Sequence, residues 1–126
     1  MTEEQLREAS EAWNSHDAER VLSFMTDDCV YYASFGADLM GKRFVGRDAV
    51  REGVAAFFER YPDCVFADGE VFVAGDRGAS EWTFRATEKD GTPVEVRGCD
   101  LFEFAGDRIR VKNAFRKLRE APSDGN

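Results

Sequence analysis

From Cys64 onward the hydrophobic residues recur at every second position, and before it most recur at helical spacing. Thr2 followed by Gln5 forms a capping box, and Leu6, Ala9 and Trp13, with Ser10 beside them, make one stripe of a first helix. Asn14-Ser15-His16-Asp17 breaks that pattern. Asp17 is an N-cap for a second short helix, AERVLSFM, with Val21, Leu22 and Met25 apolar. A strand is predicted from about Cys29 to Ala33. Three glycines between 36 and 46, with no clear period, predict a loop. A third helix is predicted over 48–60, with Val50, Val54, Phe57 and Phe58 facing the core, and Tyr61-Pro62 stops it. Four strands follow, at 64–74, 79–88, 93–105 and 108–118. The breaks between them carry Gly75-Asp76, Asp90-Gly91 and Gly106-Asp107, which is hairpin chemistry. The order α-α-β-α-β-β-β-β predicts an α+β fold, a bent antiparallel sheet with three helices packed on one face. Three helices cannot fully fill such a sheet, so a pocket between the layers is expected. One domain over 1–120 and a flexible tail at 121–126 complete the reading.

Within this pattern, VRGCDLFEF raises a question of its own. Alternation puts Val96, Gly98, Asp100, Phe102 and Phe104 on one face, and Arg97, Cys99, Leu101 and Glu103 on the other. The first face is the apolar one, yet it carries a carboxylate. An unpaired buried charge costs several kcal/mol, so Asp100 calls for a partner or a function. The partner depends on register. Pairing Phe104 with Ile109 across the Gly106-Asp107 turn puts Asn113 opposite Asp100, and a slip or bulge puts Lys112 there instead. Gly98 leaves room for a ligand or bends the strand.

Other side chains are candidates to share the pocket. Trp13 and Trp82 fit either core packing or a pocket wall. Tyr31 and Tyr32 alternate, so one of them faces inward, where it can donate a hydrogen bond to a carbonyl oxygen. Glu81 and Arg97 lie on neighbouring strands and read as a cross-strand ion pair. His16 sits in a helix–helix turn and reads as structural.

Composition narrows the function classes. Among 126 residues, 43% are hydrophobic and 13% aromatic, which predicts a folded chain. The net charge of −8 argues against nucleic acid as a partner, although Arg108, Arg110, Lys112, Arg116, Lys117 and Arg119 gather late in the chain. Three cysteines, at 29, 64 and 99, show no CxxC spacing and predict free thiols in a cytoplasmic protein. A single His leaves little for a metal site. No long apolar run suggests a membrane, and no phosphate loop or cofactor fingerprint is present, so no cofactor is expected.

The ordered set WNSHDAERVLSFMTDDCVYY, FVGRDAVREGVAAFF and CDLFEFAGDRIRVKNAF resembles the SnoaL-like branch of the nuclear transport factor 2-like superfamily, over nearly the whole chain. The resemblance implies a cone-shaped fold with a deep pocket and a homodimer through the outer sheet face. Asp100 matches the position of the oxyanion-hole Asp of the ketosteroid isomerases in that superfamily. The general base of those enzymes falls at about Ala33 and their oxyanion Tyr at about Ala9, so neither matches. The Arg and two Asp of the epoxide hydrolases are not matched either. The expectation is a small-molecule pocket protein. One reading is a cofactor-free acid–base enzyme acting on a small apolar carbonyl or hydroxyl compound. The other is a non-catalytic binding or dimeric accessory module. Asp100, Tyr32 and Lys112 are the candidate catalytic groups. Trp13, Tyr31, Trp82, Phe102 and Asn113 are the candidate ligand contacts.

Overall fold

The computed structural model describes residues 1–120; the expected tail at 121–126 lies outside the described residues. Helix α1 spans Glu3–Glu11 and runs into a 3-10 turn at Ala12–Ser15. The Thr2 hydroxyl accepts from the Gln5 backbone while the Gln5 side chain accepts from the Thr2 backbone, closing the capping box. Asp17 caps α2 (Ala18–Leu22) by accepting from the Glu19 and Arg20 amides. Between the two helices His16 takes a left-handed backbone, with φ of 56°. Its ring stacks on Phe58 and donates to the Cys64 carbonyl at 2.7 Å, so it ties the helix turn to the start of the sheet.

The rest of the chain is β1 (Met25–Tyr32), β2 (Arg43–Val45), α3 (Arg47–Arg60), β3 (Val65–Ala74), β4 (Arg77–Thr87), β5 (Pro93–Ala105) and β6 (Arg108–Arg116). They form one six-stranded sheet in the order β2-β1-β6-β5-β4-β3. Three features differ from the sequence expectation. Helix α2 ends at Leu22, so Met25, read as part of its apolar face, instead opens β1 four residues before the predicted strand. Strand β2 sits inside the stretch read as a loop; it is three residues long and mostly exposed, too short to show a period. The sheet is also not wholly antiparallel, because β1 runs parallel to β6. The chain leaves β1 through β2, α3 and the β3–β5 meander before β6 returns beside it. Leu6, Ala9, Trp13, Val50, Val54 and Phe58 bury the helices against the concave face. Each fully buried aliphatic or aromatic side chain contributes about 1.5–3 kcal/mol of transfer free energy.

Register decides which residues reach that face. Across the last hairpin Phe104 pairs with Ile109, as the turn chemistry predicts. A bulge then follows: Glu103 pairs with Val111, leaving Arg110 as the extra residue. Beyond it Phe102 pairs with Lys112, Leu101 with Asn113 and Asp100 with Ala114. The bulge therefore corrects the expectation for Asn113, which moves to the outer face beside Leu101, while Lys112 turns inward. Tyr32 is corrected in the same way. Tyr31 is buried and pairs with Lys112, so Tyr32, the next residue, faces outward beside Asn113.

Candidate functional site

Asp100 sits in the middle of the inward face of β5, 3% exposed. Its neighbours come from three strands. Ser80 lies directly across on β4, Trp82 is opposite Gly98 one pair along, and Lys112 is opposite Phe102 on β6. All three donate to one oxygen. The Trp82 indole N–H reaches Asp100 Oδ2 at 2.8 Å, Lys112 Nζ at 3.0 Å and the Ser80 hydroxyl at 3.1 Å. Asp100 Oδ1 is buried with no hydrogen-bond partner among the described residues. A buried ion pair holds only when its geometry is good and further hydrogen bonds serve the remaining lone pairs. Here one carboxylate oxygen is served three times and the other not at all.

Lys112 is as enclosed as its partner, with 7% of its side chain exposed. Its ammonium lies 4.2 Å from the centre of a Trp13 ring and 5.7 Å from that of Phe102. Charge over an aromatic face is a favourable placement for a desolvated cation. Trp13 is the hub of the aromatic cluster, with Tyr31, Phe57, Phe58 and Phe66 edge-on at 5.6–6.0 Å. Gly98 does not leave space for a ligand, because Trp82 fills it. A Cβ there would lie 2.4 Å from the Trp82 ring and 2.5 Å from the Phe115 carbonyl. The missing side chain lets the indole lie flat enough to reach Asp100.

Two chambers border this group. The larger, about 80 Å³, is walled by Trp13, Phe66, Trp82, Asp100 and Lys112, and its mouth carries Arg7, Glu11 and Glu70. At that mouth β3 bulges, with Asp68 and Gly69 set against Trp82 alone and Asp68 at φ 55°. The smaller chamber, about 20 Å³, shares those five wall residues and adds Tyr31, Ala114 and Arg116. The larger is small beside the roughly 300–1,000 Å³ of drug-sized ligand sites.

The electrostatics follow from the burial. Tyr31 is held far above the ordinary tyrosine range, first by desolvation, then by the Asp100 charge, with Arg116 opposing. Its hydroxyl therefore stays a donor across the physiological range. Burial likewise pushes the Cys64 thiol up to about 11 and raises Cys29. All three cysteines are free. The arrangement offers an acceptor in Asp100, a cation beside it, and a neutral phenol at the far wall. No cluster of metal-ligating side chains exists among the described residues.

Of the residues expected at the site, Asp100, Lys112, Trp13, Tyr31 and Trp82 are brought together here. Phe102 is buried under Lys112 and lines neither chamber; Tyr32 and Asn113 lie on the opposite face. Ser80, Phe66 and Arg116 were not anticipated. Ser80 was within reach, since the Asp90-Gly91 turn sets Thr87 against Pro93 and hence Ser80 against Asp100. Arg116 required the Arg110 bulge, which leaves no mark in the sequence.

A concave sheet capped by three helices, with a polar group in an aromatic cavity, defines a pocket domain of the nuclear transport factor 2-like kind. The chain belongs to the SnoaL-like domain family, which it matches over residues 6–112. Solved structures agree. A ketosteroid isomerase-like protein from Catenulispora acidiphila, determined in complex with trimethylamine, is 18% identical with a TM-score of 0.80; the match covers 94% of this chain and 88% of that one. A nuclear transport factor 2-like protein of unknown function from Mesorhizobium loti is 28% identical with a TM-score of 0.72, over 91% and 89%. A proposed polyketide cyclase from Xanthomonas campestris is 18% identical with a TM-score of 0.77, over 88% and 86%. No curated protein sequence matches the chain. Among the described residues no helix is long and apolar enough to cross a membrane.

Proposed function

We propose that this domain is a cofactor-free acid–base enzyme acting on a small, largely apolar carbonyl or hydroxyl compound held in the larger chamber. One observation carries the reading. A buried carboxylate with an unpartnered oxygen stands in an aromatic cavity, with an ammonium 3.0 Å away. Asp and Lys are almost never fully buried unless paired, and here one carboxylate oxygen has no partner among the described residues. Asp100 takes a proton from the ligand, Lys112 supplies one to the oxygen where charge develops, and the contact between them resets the pair. Trp13, Phe66 and Trp82 grip the apolar body. The test is hydrogen exchange in deuterated water at the carbon next to the carbonyl of acetophenone and related small ketones, followed by NMR. Asp100→Asn should lower any exchange by about 10²–10⁴-fold, the usual contribution of a positioned base. Exchange indifferent to that substitution would remove Asp100 from the chemistry.

The size of the chamber favours a second reading, a non-catalytic ligand-binding or dimeric accessory module. About 80 Å³ leaves little room for a substrate to move, and Lys112 already sits on Asp100. A ligand that binds equally to wild type and Asp100→Asn without turnover would support that module. Either reading accommodates a homodimer through the outer sheet face, where Phe72, Leu101 and Phe115 are each more than two-fifths exposed. Light scattering at micromolar concentration should give twice the 14.2 kDa chain mass, and Leu101→Glu should give the chain mass alone. Cytoplasmic residence remains part of the proposal, supported by three unpaired thiols.

A further inference from the structure

Three buried polar atoms have no protein partner among the described residues: Ser10 Oγ, on a residue lining the larger chamber, and two on residues lining the smaller one. Asp100 Oδ1 is an acceptor, Arg116 Nη1 is a donor, and both residues line the smaller chamber. Arg116 is otherwise held by its carbons and charge, with the guanidinium 4.7 Å from the Phe84 ring centre and 5.8 Å from that of Tyr61. A chamber of about 20 Å³ excludes an organic ligand but exceeds the roughly 10–15 Å³ that one water needs. A buried water also needs two to four polar partners, and an orphan donor and an orphan acceptor on residues of the same wall can supply the first two. Tyr31 lines the same space.

We propose that the smaller chamber binds one water between Asp100 Oδ1 and Arg116 Nη1, and that this water is a reactant, added to a carbonyl carbon held in the larger chamber. The proposal rests on the acid–base reading above and narrows it to hydration or hydrolysis. In the step, the water oxygen forms a bond to the carbonyl carbon while one water proton passes to Asp100 Oδ1. The carbon–oxygen π bond breaks towards oxygen, and Lys112 gives that oxygen a proton. Transfer of a proton from Asp100 to Lys112 restores both groups. With a simple ketone or aldehyde the product is a geminal diol, and its collapse in the reverse direction returns the carbonyl with either oxygen. Arg116 donates to the water and holds a lone pair towards the carbon, so it is a positioning residue.

A crystal structure near 1.2 Å of the whole chain, and oxygen exchange in ¹⁸O-water, test the two halves. A single spherical density peak within hydrogen-bond distance of Asp100 Oδ1 and Arg116 Nη1 is expected. Absence of that peak, or a direct bond between the two side chains, overturns the proposal. With acetophenone and benzaldehyde as probes, wild type should accelerate carbonyl oxygen exchange at least tenfold over buffer. Asp100→Asn should remove the acceleration. Arg116→Met, checked for native circular dichroism, should lose both the peak and most of the acceleration. A peak without acceleration makes the water structural and overturns its role as reactant. Carbon-bound hydrogen exchange that persists without oxygen exchange keeps the acid–base reading and removes the water step. Loss of both removes both.

Discussion

The two faces of the same three strands each carry an acid–base pair, and the pairs differ in almost everything but charge. On the inner face Asp100 and Lys112 are 4% and 7% exposed and 3.0 Å apart. On the outer face Glu81 and Arg97 are both 48% exposed and 3.7 Å apart. The outer pair sits in water, where attraction, side-chain entropy and screening nearly cancel and the net is about 0–1 kcal/mol. The inner pair has given up its hydration, so each member depends on the other. The same pairing of charges therefore says little until the side of the sheet is known. An unpaired buried charge is costly, so the inner pair is the one whose persistence needs a reason beyond stability.

The comparison breaks first at Lys112. Lys112→Met leaves Asp100 buried without its cation, and urea unfolding should show a loss of about 3–5 kcal/mol. Adding Asp100→Leu to that variant should restore most of the loss, because a well-packed apolar pair is often neutral or better. A single substitution costing under 1 kcal/mol would put the inner pair in the outer class. Next is Trp82→Phe, which removes one of the three donors to Asp100 Oδ2. About 1.5–3 kcal/mol is expected, the usual worth of one hydrogen bond to a charged group, since Ser80 and Lys112 still serve that oxygen. A third test uses pH. The folded pKa of Tyr31 lies above its unfolded value, so the fold gains stability that is complete below about pH 10 and lost as pH rises beyond it. The slope should reach at most about 1.4 kcal/mol per pH unit and flatten in Tyr31→Phe. The smallest effect belongs to the outer face. Arg97→Ala should change stability by about 0–1 kcal/mol and should respond to salt, whereas the Lys112 effect should not.

How much of this was legible in the sequence follows the same division. Local signals placed the helices: Thr2 and Asp17 cap where expected, and Pro62 follows the last turn of α3. Period two and the three Gly-Asp or Asp-Gly turns placed β3 to β6 within a few residues. The inward direction of Asp100 followed from alternation alone. Its partner did not, because alternation carries no record of a one-residue bulge. The turn at Gly106-Asp107 sets Phe104 against Ile109, and the bulge at Arg110 then shifts the register by one. That step exchanges Asn113 for Lys112 and brings Arg116 inward. Tyr31 against Tyr32 was undecidable for a related reason: β1 is placed by a parallel neighbour far along the chain and by the short β2 across a long loop, and no tight turn marks either register.

That parallel neighbour also sets an order of events during synthesis. Strand β6 is the last element among the described residues, yet it lies in the interior of the sheet, between β1 and β5. Until it emerges from the ribosome, the helices with β1 and β2 and the meander of β3 to β5 have no shared strand to join them. Without β6 the Asp100 carboxylate lacks its lysine. Pairings this distant along the chain close slowly, because the entropy of the loop is lost before any contact compensates it. Insertion of β6 joins the halves, neutralises Asp100 and closes the cavity walls together. The site therefore exists only once assembly is complete.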